Sequence, residues 1–159
     1  MNTELREMIV GAEGRFLSDE EHARIREYAT GMAARLDTAR RVQQREARLV
    51  DGALSRLEAE HPDLVAQQGD RDRVAEQLGT TLRYCVQAHV RKDMAFFREC
   101  YSEWFAELLC TLSAPKDVLD TALALREACR EHLDATDQRA LAPYLDEFVR
   151  ELEDWQVEG

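Results

Sequence analysis

RDRVAEQLGTTLRYCVQAHVRKD, Arg71 to Asp93, repeats its apolar residues at helical spacing. Val74, Leu78, Leu82, Cys85, Val86 and Val90 recur at three- and four-residue steps, so a helix of roughly six turns carries one apolar stripe. Arg71, Arg73, Arg83 and Arg91 flank that stripe on an otherwise acidic chain. An apolar strip beside concentrated arginine suits a flat, carboxylate-bearing ligand. The same signature belongs to any buried helix of a helical bundle whose arginines are solvated.

Working outward, the remaining segments share the helical period. Of 159 residues, 45% are hydrophobic and 33% charged, which excludes a disordered or membrane-spanning chain. The length suits one domain, residues 1–159, able to bury a sizeable core. A net charge of −11 argues against nucleic acid and anionic membrane as partners. The N-terminal residues include acids and only a short apolar patch, unlike a signal peptide, so a cytoplasmic location is expected. Cys85, Cys100, Cys110 and Cys129 show no CxxC and no metal-ligand spacing, and each falls on or beside an apolar helical position. Seven glycines and three prolines leave little material for turns, and the prediction is an all-α domain.

Residues 3–14 form a first amphipathic helix with Leu5, Met8, Ile9 and Ala12 on one side, ended by Gly14. Ser18 and Glu21 make a capping box for a helix from about Asp19 into the forties, with Ile25, Tyr28, Met32, Leu36, Ala39 and Val42 inward. It continues or bends through Leu49, Val50, Ala53, Leu54 and Leu57 and ends at His61-Pro62. After the loop 62–70 and the central helix, Asp93 caps a very apolar helix running from Met94 through Phe97, Cys100, Tyr101, Trp104, Leu108 and Leu109 to Leu112. Ser113-Ala114-Pro115 opens the next helix, with Ser113 as cap. The last starts at Thr136 or at Pro143, which would kink an early start. Six to eight helices with irregular connections fit a globin-like arrangement preceded by an N-terminal arm, residues 1–18.

In that order the chain resembles the phycobiliproteins and their relatives. Gly14-Arg15-Phe16-Leu17-Ser18 is similar to the family's Gly-Arg-Phe-Leu-Ser between its arm helices. Leu78-Gly79-Thr80-Thr81-Leu82-Arg83-Tyr84 resembles its Ile-Gly-Tyr-Tyr-Leu-Arg, or Leu-Arg-Tyr, on the chromophore-bearing helix, which Asp93 then closes. Glu107 through Pro115 resembles Arg-Glu-x-Tyr-x-x-Leu-Gly-x-Pro with one insertion, and Tyr144-Leu145-Asp146 matches a Tyr-Leu-Asp of the last helix. The resemblance implies a phycocyanin-like fold, arm helices packed on a partner subunit, and a linear tetrapyrrole (a bilin) against the central helix.

The departures refine that expectation. The family's Cys-x-Arg-Asp attachment motif aligns with Val74-Ala75-Glu76-Gln77, so no thioether forms at Val74 and Gln77 replaces the aspartate that accepts the pyrrole N–H groups. The loop before the helix is also about ten residues shorter than in antenna subunits. The resemblance therefore implies a bilin, biliverdin or a reduced derivative, held noncovalently by a carrier, store or sensor rather than an antenna. Arg71 and Arg73 are the expected propionate partners. Gln77 and Thr81 would meet ring nitrogens or lactam oxygens, and Leu78, Leu108 and Leu109 would supply apolar wall. Cys85 is expected to be a structural thiol.

Two other readings stand beside it: a ligandless globin-like interaction or signalling module, and a haem sensor using His89 or His132. No Ser/His/Asp order, zinc spacing, phosphate loop or dinucleotide fingerprint is present, so no catalysis is expected. Leu5, Met8, Ile9 and Phe16 form an apolar arm face that predicts a homodimer.

Overall fold

Local chemistry sets most helix ends in the computed structural model, which describes residues 2–66, 68–112 and 114–158. α1 spans Thr3–Gly11, with Asn2 Oδ1 accepting from the Leu5 amide at 2.9 Å. Gly14 then turns the chain at φ +83°, a conformation favouring glycine. α2 (Asp19–Thr30) opens on the expected capping box, Ser18 Oγ accepting from Glu21 N at 3.2 Å while Ser18 N donates to Glu21 Oε2 at 2.7 Å. The long helix breaks at Gly31, and α3 runs from Met32–Glu60. Pro62 ends it and starts a single 3-10 turn, Pro62–Val65.

α4, Gln68–Arg91, is the central helix. Lys92 at φ +52° and Asp93, whose carboxylate accepts from Phe96 N at 3.0 Å, turn the chain into α5 (Met94–Phe97). A π-helical turn, Arg98–Ser102, joins α5 to α6 (Glu103–Leu112) where one regular helix was expected. The wide turn shifts the register, burying Tyr101 and Ser102 and leaving Cys100 and Trp104 exposed. Cys100 thus does not pack as the apolar spacing suggested. α7 spans Pro115–His132, and the expected cap Ser113 lies outside the described residues. α8 (Ala135–Glu158) takes the early start because Asp134 accepts from Thr136 N and Asp137 N, and it runs through Pro143.

The described elements are all helical, and the fold is all-α and globin-like. α3 packs on α4 and α7, and α7 on α8, around Leu49, Leu57, Leu78, Leu82, Leu125, Leu141 and Leu152. Phe97, Tyr101 and Phe148 complete the interior, with Tyr84 and Phe105 each stacked on the Tyr101 ring, at 4.6 and 4.7 Å between centroids.

The inward face of α2 and of the start of α3 differs from expectation. Val42 is buried, but Ile25, Tyr28, Met32 and Ala39 are half-buried and Leu36 is exposed, while Arg35 and Thr38 go inside. Arg35 donates to Val90 O at 2.9 Å and Tyr28 O at 2.8 Å, meeting carbonyl groups that the ends of α4 and α2 leave over. The arm is clipped to the same corner: Thr3 N and Oγ1 donate to Asp93 Oδ2 at 2.6 and 2.8 Å. Leu5 and Ala12 are consequently buried within their own chain, and Ile9, Val10 and Phe16 remain exposed.

Candidate ligand cleft

Val74 and Gln77 stand one helical step apart on α4, and both face a cleft of about 150 Å³. The 3-10 turn supplies Asp63 and Leu64, the first turns of α4 Asp70 and Arg73, and the start of α7 Asp117, Val118 and Thr121. Val74 and Val118 are buried and make an apolar floor. Three carboxylates and one guanidinium line the walls. Arg73 Nη2 lies 3.6 Å from Asp70 Oδ1, so the cation leans on the acid of the preceding turn. Thr121 Oγ1 donates to Asp117 O at 2.8 Å, which fixes that wall.

Of the eight residues picked out in the sequence, Arg73, Val74 and Gln77 meet here. Arg71 does not. Residues two apart on a helix point in nearly opposite directions, and Arg71 pairs with Glu58 of α3 instead. Thr81 is buried, donating to Gln77 O at 2.9 Å and accepting from Tyr101 Oη at 2.5 Å. It braces the turn that presents Gln77. Leu78 and Leu109 are buried in the core, and Leu108 is exposed on α6; none of the three lines the cleft.

The residues missed in the sequence are Asp70 of α4 itself and those on the other two walls, Asp63, Leu64, Asp117, Val118 and Thr121. The aspartates read as ordinary first-turn acids, which helix dipoles favour anywhere. Only the packing of α7 against the start of α4 gives them a common purpose.

The remaining candidates lie elsewhere. None of the four cysteines lines the cleft; Cys85 is fully buried, and burial pushes its thiol well up. His89 is half-buried and its pKa is lowered by burial and by Arg35. His132 packs beside Gly52. Among the described residues no group of three or more His, Cys, Asp or Glu is placed to hold a metal ion, and no helix is long and apolar enough to cross a membrane.

A different face of α4 closes a groove with α3. Two connected hollows of about 260 and 650 Å³ share Gln43, Glu46 and Arg83. Val42, Val50, Leu82 and Val86 give the groove apolar walls, and Arg83 Nη2 bonds Glu46 Oε1 across it at 2.6 Å.

A search of curated proteins finds no match. A family model described as phycobilisome protein matches residues 9–152, from the arm into the second half of α8. That span takes in both walls of α4, the cleft and the groove, and the chain belongs to the phycobilisome protein family.

Proposed function

We propose that the protein binds a linear tetrapyrrole, biliverdin or a reduced derivative, noncovalently, and serves as a carrier, store or sensor rather than an antenna. The observation that carries this reading is the pairing of family membership with a cleft built around Val74 and Gln77. At these positions the attachment cysteine and the N–H-accepting aspartate of the antenna proteins are absent, so the pigment is held without a sulfur bond.

The charge balance of the cleft supports one orientation. Asp63, Asp70 and Asp117 attract N–H donors and repel propionates, and the one guanidinium on the walls already leans on Asp70. The pyrrole N–H edge therefore enters, and the propionates extend past Arg73 into solvent. At about 150 Å³ the cleft is smaller than the ~300 Å³ at which drug-sized pockets begin, so it holds one end of the pigment.

An absorption titration with biliverdin tests the reading, with its dimethyl ester beside it. A red-shifted, sharpened long-wavelength band at micromolar pigment is expected, and the ester binds within about threefold of the acid. An unchanged spectrum at tens of micromolar overturns bilin binding. Ester binding weakened tenfold or more overturns the orientation only. The small cleft favours one second reading, a ligandless interaction module, which the unchanged spectrum would support.

The proposed assembly is a homodimer. Ile9, Val10 and Phe16 of one arm form an exposed apolar face, and the α3–α4 groove of the other copy is the concave surface that receives it.

A further inference from the structure

A second cleft, of about 170 Å³, lies between α7 and α8. Three arginines line it, Arg126, Arg130 and Arg139, on a chain whose net charge is −11. Beneath them Cys129 and Leu145 are buried and Ala142 is half-buried, so the floor is apolar.

The guanidinium groups are incompletely matched. Asp146 reaches Arg126 Nη1 at 3.4 Å, and Glu127 bonds Arg130 at 2.6 Å. Arg126 Nε is buried and has no acceptor; Glu127 Oε1, at 3.9 Å, is beyond hydrogen-bond reach. Arg139 donates from Nε to Ala135 O in its own helix at 3.1 Å. The Gln138 amide nitrogen is turned to Arg130 O and Leu133 O, so the charged groups on the rim are the three arginines and the one carboxylate of Asp146. The donors a ligand can reach from the cleft are the exposed guanidinium groups of Arg130 and Arg139 beside the partly covered Arg126.

We propose that this cleft binds a small organic carboxylate with an apolar body, an aromatic or branched-chain acid. The carboxylate meets the guanidinium fork, whose planar donors suit it, and the hydrocarbon lies on the Cys129, Ala142 and Leu145 floor. Its volume is on the order of the ~150 Å³ that takes up a benzene ring. Burial pushes the Cys129 thiol up to about 12, so the floor stays uncharged and the ligand is held without a covalent bond. The inference is independent of the tetrapyrrole cleft and stands whether or not a bilin binds.

Titration of the ¹⁵N-labelled full chain with sodium benzoate, benzyl alcohol and inorganic phosphate tests it. Benzoate is expected to move the amide signals of residues 126–130 and 138–146, with saturation in the millimolar range. Arg126→Gln and Arg139→Gln should each weaken it about tenfold, the effect of one charge-assisted hydrogen bond. Arg139 is exposed, so its variant keeps the fold, which the same spectra report. Unmoved signals overturn the proposal. So does benzyl alcohol binding as well as benzoate, which means no recognition of charge, or phosphate binding as well, which means no use of the floor. Both variants binding like the parent overturns it too.

Discussion

Tyr101 is fully buried, and its hydroxyl donates a hydrogen bond to Thr81 Oγ1, which in turn donates one to the Gln77 carbonyl. Burial raises the Tyr101 pKa well above 10, so the phenol remains a donor at every working pH. The two ends of this chain are not equivalent. Tyr101→Phe removes the donor and leaves Thr81 bonded to its own helix, a loss of about 1 kcal/mol. Thr81→Val leaves the phenol buried without an acceptor, a loss of about 2–3 kcal/mol. Urea midpoints at unchanged slope check the order, and a more damaging Tyr101→Phe would contradict it. Glu147 shows the same reasoning for charge. Hydrogen bonds from Arg150 and Arg98 lower its carboxyl from 4.5 to about 2. The folded state thus favours the ionised form; that stabilisation is complete above the ordinary carboxylate range and fades as pH falls from about 4.5 towards 2. Glu147→Gln is expected to flatten the stability profile in that window and leave its slope unchanged between pH 6 and 8, as thermal melts across pH will read.

The α3–α7 crossing depends on a missing side chain. A Cβ at Gly52 would come within 2.9 Å of His132 Nε2 and 3.0 Å of Cδ2. Gly52→Ala gains up to about 1 kcal/mol of helix propensity and forces the His132 ring to move, and the net effect is expected to be destabilising. In a His132→Ala background the obstruction is gone, so the same Gly52→Ala change should stabilise by about 0.5–1 kcal/mol. A double-mutant cycle with no sign change would contradict this account. Helices whose ends are local chemistry were legible in the sequence: the Ser18–Glu21 box, the Asp93 cap and the stop at Pro62 stand where expected. The π turn at Arg98–Ser102 and the inward Arg35 were not. The first is an extra residue per turn that apolar spacing does not register, and the second answers carbonyl groups on two other helices.

At the scale of the whole molecule, the α4 side of the cleft was readable in part: the resemblance to the family's attachment motif singled out Val74 and Gln77, while Asp70 of the same helix was missed and Arg71 faces away. The α7 side depends on which helices cross, and periodicity within a helix carries no information about that. The same limit affected the arm, where Leu5 was grouped with Ile9 and Phe16 but is covered by its own chain. What remains exposed, Ile9, Val10 and Phe16, is the apolar face of the proposed homodimer. Dimerisation doubles a net charge of −11, so burial of that face works against electrostatic self-repulsion. Association should therefore tighten as sodium chloride rises from about 0.01 to 0.15 M, where the Debye length falls from ~30 to ~8 Å. Val10→Asp adds a carboxylate to the apolar face without touching the buried Leu5, and it is expected to give a folded monomer. Size-exclusion chromatography with light scattering measures both effects. A parent protein that stays monomeric at high concentration in 0.15 M salt would overturn the dimer, and a dimer that weakens with salt would show that ion pairs, rather than the exposed apolar face, hold the two copies together.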